Sequence, residues 1–173
     1  MKNSWEKTSV DNSEMGLYVS QPDGTGPVPA IVVIQNKYGV KEFTQEMTRR
    51  CAEAGYVGIA PLLYHRTGEP NTEEEVELMR PNRNDTNILA DIKGTIDYLK
   101  GCAKADTSRL AIVGFCMGGR VAFMAAVSTP WFNAAVDYYG GRIFSPWGKD
   151  RPAPSELVAN ISCPVQGHFG MLD

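Results

Sequence analysis

The apolar positions fall into short blocks whose spacing changes along the chain. Residues 5–10 and 15–20 are β-compatible runs split by the turn-forming Asp11-Asn12-Ser13, which predicts an N-terminal hairpin. After the Pro/Gly turn at 22–27, Pro29-Ala30-Ile31-Val32-Val33-Ile34 is continuously apolar. A strand without alternation is one buried on both faces, as in a parallel sheet. Further strands are predicted at 56–60, 109–115, 134–139 and 163–169.

Helical spacing fills most of the intervals. Phe43, Met47, Cys51 and Ala54 predict a buried stripe over 42–54, closed by Gly55. Ile88, Ile92, Ile96 and Leu99 predict another over 85–100, closed by Gly101. Residues 117–128 follow the 109–115 strand with no intervening loop and read as helix. Glu73-Glu74-Glu75 open a short helix at the end its dipole favours, Pro81 breaks it, and their charges read as a solvated face. The Pro/Gly-rich 142–154 reads as loop, with a helical turn near 155–158. Strands alternating with helices predict one α/β domain, a mainly parallel sheet covered on both faces.

Composition narrows the function. The 173 residues are 43% hydrophobic and 21% charged, as in an ordinary soluble domain, and the net charge of -3 comes without a basic block, so nucleic acid is not an expected partner. No window offers the roughly 18 apolar residues of a membrane span, and the start lacks a signal peptide's apolar core. A cytoplasmic location is expected, with no membrane partner. Cys51, Cys102, Cys116 and Cys163 are scattered, without a CxxC pair or a histidine at zinc-ligand spacing. Neither a disulfide framework nor a metal is expected, and no cofactor is implied. Cys51, Cys102 and Cys163 read as core or near-core packing.

Gly114-Phe115-Cys116-Met117-Gly118-Gly119 lies between a buried strand and an apolar helix. It fits G-x-nucleophile-x-G, in which flanking glycines allow a sharp, strained strand-to-helix turn that lifts the nucleophile above the sheet. Free N–H groups of the first helical turn then face a substrate, and the helix dipole favours a thiolate at Cys116. The N–H of Met117 would be one oxyanion donor.

With these residues the chain resembles the dienelactone hydrolase family (carboxymethylenebutenolidases), a cysteine branch of the α/β-hydrolase fold. The other matching stretches are Ile34-Gln35-Asn36-Lys37-Tyr38-Gly39-Val40, Ala60-Pro61-Leu62-Leu63-Tyr64 and Gly167-His168-Phe169-Gly170-Met171-Leu172-Asp173. The resemblance implies Cys116 as nucleophile, Asp173 as triad acid and the backbone N–H of Lys37 as second oxyanion donor. It implies hydrolysis of a small lactone or ester through an acyl-enzyme.

Two departures qualify it. The family's catalytic histidine lies beyond the acid, whereas this sequence has only His65 and His168. His65 reads as a surface-loop histidine and His168 as a buried or half-buried strand histidine with its ring hydrogen-bonded. The expectation is a hydrolase domain incomplete at its C-terminus, capable of weak turnover. The alternatives are a non-catalytic α/β scaffold and an oxidation-sensitive thiol at Cys116. Missing sheet cover also predicts a homodimer across the C-terminal edge. Secondly, Asn36 stands where the family commonly carries a glutamate, and it can neither act as a base nor bear charge. Arg49, Arg50, Arg66, Arg80, Arg83 and Arg142 are candidate anchors for a substrate carboxylate, and the sequence selects none of them. Trp131, Phe132, Phe144 and Trp147 read as core lids or pocket lining.

Overall fold

Along the strand β3 (Val28–Ile34), Ala30, Val32 and Ile34 point to one side and Ile31 and Val33 to the other, and each set joins a different apolar cluster. Both faces of the sheet are therefore covered, as the unbroken apolar run predicts. The computed structural model describes residues 1–172.

The remaining strands are β1 (Lys2–Val10), β2 (Ser13–Gln21), β4 (Val57–Pro61), β5 (Ala105–Phe115), β6 (Ala134–Tyr138) and β7 (Val165–His168). They form a seven-stranded sheet in the order β1-β2-β4-β3-β5-β6-β7. The hairpin β1–β2 and the β2–β4 pair are antiparallel, and every other pair is parallel. Sequence and structure agree on a mainly parallel sheet with helices on both faces.

Helix α1 (Glu42–Glu53) covers one face. Its buried positions are Thr44, Thr48 and Ala52, while Phe43 and Ala54 are exposed and Met47 and Cys51 half-buried. This corrects the expected stripe by one residue. A Cβ on Gly58 of β4 would stand 2.3 Å from the Thr48 carbonyl oxygen, so helix and strand are too close for large side chains on the contact line. The threonine hydroxyls are satisfied by the carbonyls of Gly39, 3.2 Å from Thr44 Oγ1, and of Thr44, 2.7 Å from Thr48 Oγ1. Gly55, at φ +90, completes the helix end: its N–H bonds Ala52 O and that of Tyr56 bonds Cys51 O.

Helices α3 (Asp85–Lys100) and α4 (Met117–Ser128) cover the other face, and the short α2 (Glu73–Met79) lies in the connection from β4 to α3. Ile88, Ile92, Ile96 and Leu99 of α3 are buried as predicted. In α4 all but Phe123 and Ser128 are buried. No helix among the described residues is long and apolar enough to cross a membrane.

Candidate active site

The turn from β5 into α4 is built by exclusion. A Cβ on Gly114 would lie 1.9 Å from Gly118 O; on Gly118, 2.4 Å from Gln35 O; on Gly119, 2.6 Å from Tyr138 O. The first turn of α4 thus rests directly on the backbone of three strands and their ends. Between these glycines Cys116 adopts φ 58, ψ -117, a conformation that costs a non-glycine residue about 1–3 kcal/mol. Its N–H donates to Tyr138 O at 2.9 Å and its carbonyl accepts from Gly119 and Arg120, which fixes the residue from both sides. The thiol is half-buried and free.

Cys116 opens into a cleft of about 210 Å³ whose lining includes Lys37, Met117, Arg83, Arg142 and Trp147. Three of the four residues singled out by sequence, Cys116, Lys37 and Met117, therefore meet in one place. Asp173, the fourth, lies outside the described residues. Met117 is the first residue of α4, so its N–H has no acceptor within the helix. The Lys37 loop is tied down on two sides. The Tyr64 hydroxyl donates to Lys37 O at 3.0 Å and also lies 3.2 Å from Met117 Sδ. Lys37 Nζ bonds both oxygens of Glu73, at 2.8 and 2.7 Å, and the Tyr38 hydroxyl reaches the same carboxylate. Glu73 thus joins α2 to this loop rather than serving as a merely solvated charge, and the bond from Lys37 holds its carboxyl below the ordinary carboxylate range. Asn36 is occupied locally, its Oδ1 accepting the Tyr38 N–H at 2.9 Å.

The cleft is cationic. Lys37 and Arg80 are paired with Glu73 and Glu77, but Arg83 and Arg142 have no ion-pair partner among the described residues. Arg83 Nε and Nη2 are buried without an acceptor there, and the guanidinium bears on Tyr64, whose phenol burial pushes up while Arg83 pulls it down. Of the other candidate anchors, Arg49 is engaged by Glu42, Glu46 and Tyr18, Arg50 by Glu46, and Arg66 by Asp11 and Asp91. Among the aromatics, Trp147 lines the cleft, Phe132 is core, Trp131 packs against the core and Phe144 is exposed.

Both histidines differ from expectation. The side chain of His65 is 1% exposed rather than superficial, with Ser13 Oγ 3.0 Å from Nδ1 and Asp91 Oδ1 3.0 Å from Nε2. This Ser-His-Asp chain joins the hairpin turn to α3, and Arg66 completes it at 2.8 Å from Asp91. It satisfies a buried ring rather than serving the Cys116 cleft, which His65 does not line. His168 is exposed, its ring stacked on Tyr138 at 4.5 Å between centroids, in β7 at the edge of the described sheet. Among the described residues no histidine lines the cleft.

Comparison with known proteins agrees with this geometry. The dienelactone hydrolase family model matches residues 15–173. A Methylorubrum extorquens protein assigned as a carboxymethylenebutenolidase is 32% identical over 171 residues, covering 96% of this chain and 59% of that protein. A Yersinia pestis protein of the same assignment is 35% identical over 165 residues, covering 92% and 61%. The crystal structure of a Klebsiella pneumoniae protein assigned as a dienelactone hydrolase superimposes with a TM-score of 0.83 at 30% identity, covering 96% of this chain and 72% of the other. The chain thus spans about three fifths of the length of those two curated relatives, 59% and 61%. With the family pattern running through nearly the whole chain, and the fold superimposing on a relative's over 96% of it, the protein belongs to the dienelactone hydrolase family, with its α/β-hydrolase fold.

Proposed function

We propose that Cys116 is the nucleophile of a hydrolase acting on small lactones or carboxylic esters that carry a negative group. The observation that carries this reading is the strained Cys116 backbone at the head of α4, opening into a cleft lined by two arginines, Arg83 and Arg142, that have no ion-pair partner among the described residues. The thiolate sulfur adds to the substrate carbonyl, and the N–H groups of Lys37 and Met117 receive the oxyanion. Collapse of that adduct breaks the C–O bond to the leaving oxygen and leaves a thioester on Cys116. Water then adds to the thioester and releases the acid and the thiol. Arg83 and Arg142, without ion-pair partners among the described residues, favour a substrate carboxylate at the mouth of the cleft.

Two proton transfers remain: one to the leaving oxygen and one from the attacking water. The family resemblance assigns them to a histidine oriented by Asp173. No described histidine lines the cleft, and His65 is committed to Ser13 and Asp91. Acylation is therefore favoured over deacylation, because a thiol is partly ionised near neutral pH whereas water needs a base. For the 173-residue chain the expected result with a small activated ester is a burst approaching one equivalent followed by slow turnover, absent in Cys116→Ala. No Cys116-dependent burst would overturn the reading. Sustained Cys116-dependent turnover would assign the base to another group, with His168→Ala and His65→Ala as the next variants.

A further inference from the structure

Arg120 is the lone charge in the apolar helix α4, four residues beyond Cys116, and it is completely buried. Its guanidinium makes a bidentate pair with Asp85 at the start of α3, Nη1 to Oδ1 at 2.7 Å and Nη2 to Oδ2 at 3.0 Å. The same pair gathers the irregular loop after β6. Arg120 Nε donates to Arg142 O at 3.2 Å and Nη2 to Ser145 O at 2.9 Å, while Asp85 accepts the Trp147 N–H at 2.9 Å and donates its own N–H to Trp147 O at 2.8 Å. The Trp147 ring lies 3.8 Å from the Arg120 guanidinium, and Arg83 lies 5.3 Å from the same ring. Trp147 is thus in contact with two cations. One is fully paired and buried; the other borders the Cys116 cleft and has two nitrogens without an acceptor among the described residues.

We propose that Trp147 is a positioning residue: held by the buried Arg120–Asp85 pair, it keeps the Arg83 guanidinium at the cleft, where that charge selects anionic reactants for Cys116. A loop without regular structure or a core of its own takes its place from the ion pair, and an arginine on an aromatic face loses rotamer freedom before any anion arrives. The proposal rests on the cleft being the reactive site, but its test needs only the thiol.

The test compares alkylation of Cys116 by anionic iodoacetate and by neutral iodoacetamide, read by peptide mass spectrometry, with Cys102 as internal reference. Loss of a single nearby charge changes such a ratio by about threefold in a partly solvated cleft. Trp147→Leu is expected to lower the iodoacetate/iodoacetamide ratio at Cys116 by about that factor, as is Arg83→Met, with no further fall in the double variant. The ratio at Cys102 stays constant, and the half-buried Cys51, whose thiol pKa is pushed up to about 11 by burial, stays slow while the fold holds. If Trp147→Leu speeds Cys51, Trp147→Phe replaces it: a partial fall supports the assignment, and an unchanged ratio overturns it. An unaltered ratio in folded Trp147→Leu, additive effects of the two substitutions, or no effect of Arg83→Met would each overturn it. Absence of an ester burst with the ratios behaving as stated would remove the hydrolase reading and leave Trp147 in this role.

Discussion

Asp137 near the end of β6 is 4% exposed, has the Gly140 N–H 2.8 Å from Oδ1 as its donor, and is pushed by burial above the ordinary 3.8. A raised folded value means that the protonated acid suits the fold better than the carboxylate. Its contribution to stability is full below the unfolded value and is lost as pH rises through the raised one. Asp137→Asn keeps the acceptor and cannot ionise. The stability difference, wild type minus variant, should therefore fall from acid to neutral pH in urea titrations, and a constant difference would remove the effect. Steric exclusion gives a second residue-level outcome. Gly118→Ala would place a methyl 2.4 Å from Gln35 O and 2.6 Å from Ile34 O, both backbone atoms that cannot swing aside. It should cost about 3 kcal/mol, seen as a lower urea midpoint, and should alter the rate at which Cys116 is alkylated. The glycine pattern made this part of the site legible in the sequence, because close approach leaves its mark at fixed spacing. Asp85 and Arg120 left a fainter one: a single charge in an apolar helix must find a partner, but no local rule says which.

At the scale of elements, legibility followed how local the determining interactions are. Helix α3 begins where Asn84 caps it, its Oδ1 accepting the Asn87 N–H at 3.0 Å, and its isoleucine stripe faces the core in the phase the spacing predicts. Asn84→Ala should cost about 1 kcal/mol, with thermal melting as the readout, because it removes the cap and also the contact from Nδ2 to Asp150 at 3.2 Å. The apolar spacing places the α1 stripe one residue out of phase, because Met47 and Cys51 border the sheet's apolar cluster half-buried while Thr44, Thr48 and Ala52 are the positions fully covered. The close approach of Gly58 to the Thr48 carbonyl and the Cys51 Cβ sets that phase, a tertiary constraint that hydrophobicity does not encode. The same holds for His65. A histidine in a loop reads as exposed until the fold brings Ser13 and Asp91, distant in sequence, to its two nitrogens. His168 shows the opposite case, since a strand histidine reads as buried or half-buried until the sheet order of the described residues puts β7 at an edge.

At the scale of the whole molecule, the sheet of the described residues has two edges, and they are protected differently. Strand β1 carries Lys2, Glu6 and Lys7 along its length, with Lys7 paired to Glu14 across the hairpin at 2.7 Å, the kind of charged edge that resists further pairing. Strand β7 has only four residues and no charge, and the apolar side chains that follow it are open: Phe169 is 59% exposed, and Met171 and Leu172 wholly so. Phe144 and Val158 add exposed apolar area from the loop and the turn before the strand. Unpaired strand N–H and C=O groups beside apolar surface favour pairing with a second strand, and a second copy of this chain offers an identical one. The 173-residue chain is therefore expected to self-associate through the β7 edge, giving by light scattering a mass above the 19.0 kDa of one copy that falls on dilution. Phe169→Lys and Leu172→Lys together should return it to a monomer without changing the Cys116 alkylation rate, since neither residue lines the cleft. A wild-type chain that stays monomeric at high concentration would show that the edge is not a pairing surface. An association insensitive to those lysines but lost when charge is introduced into β1 would move it to the opposite edge of the sheet.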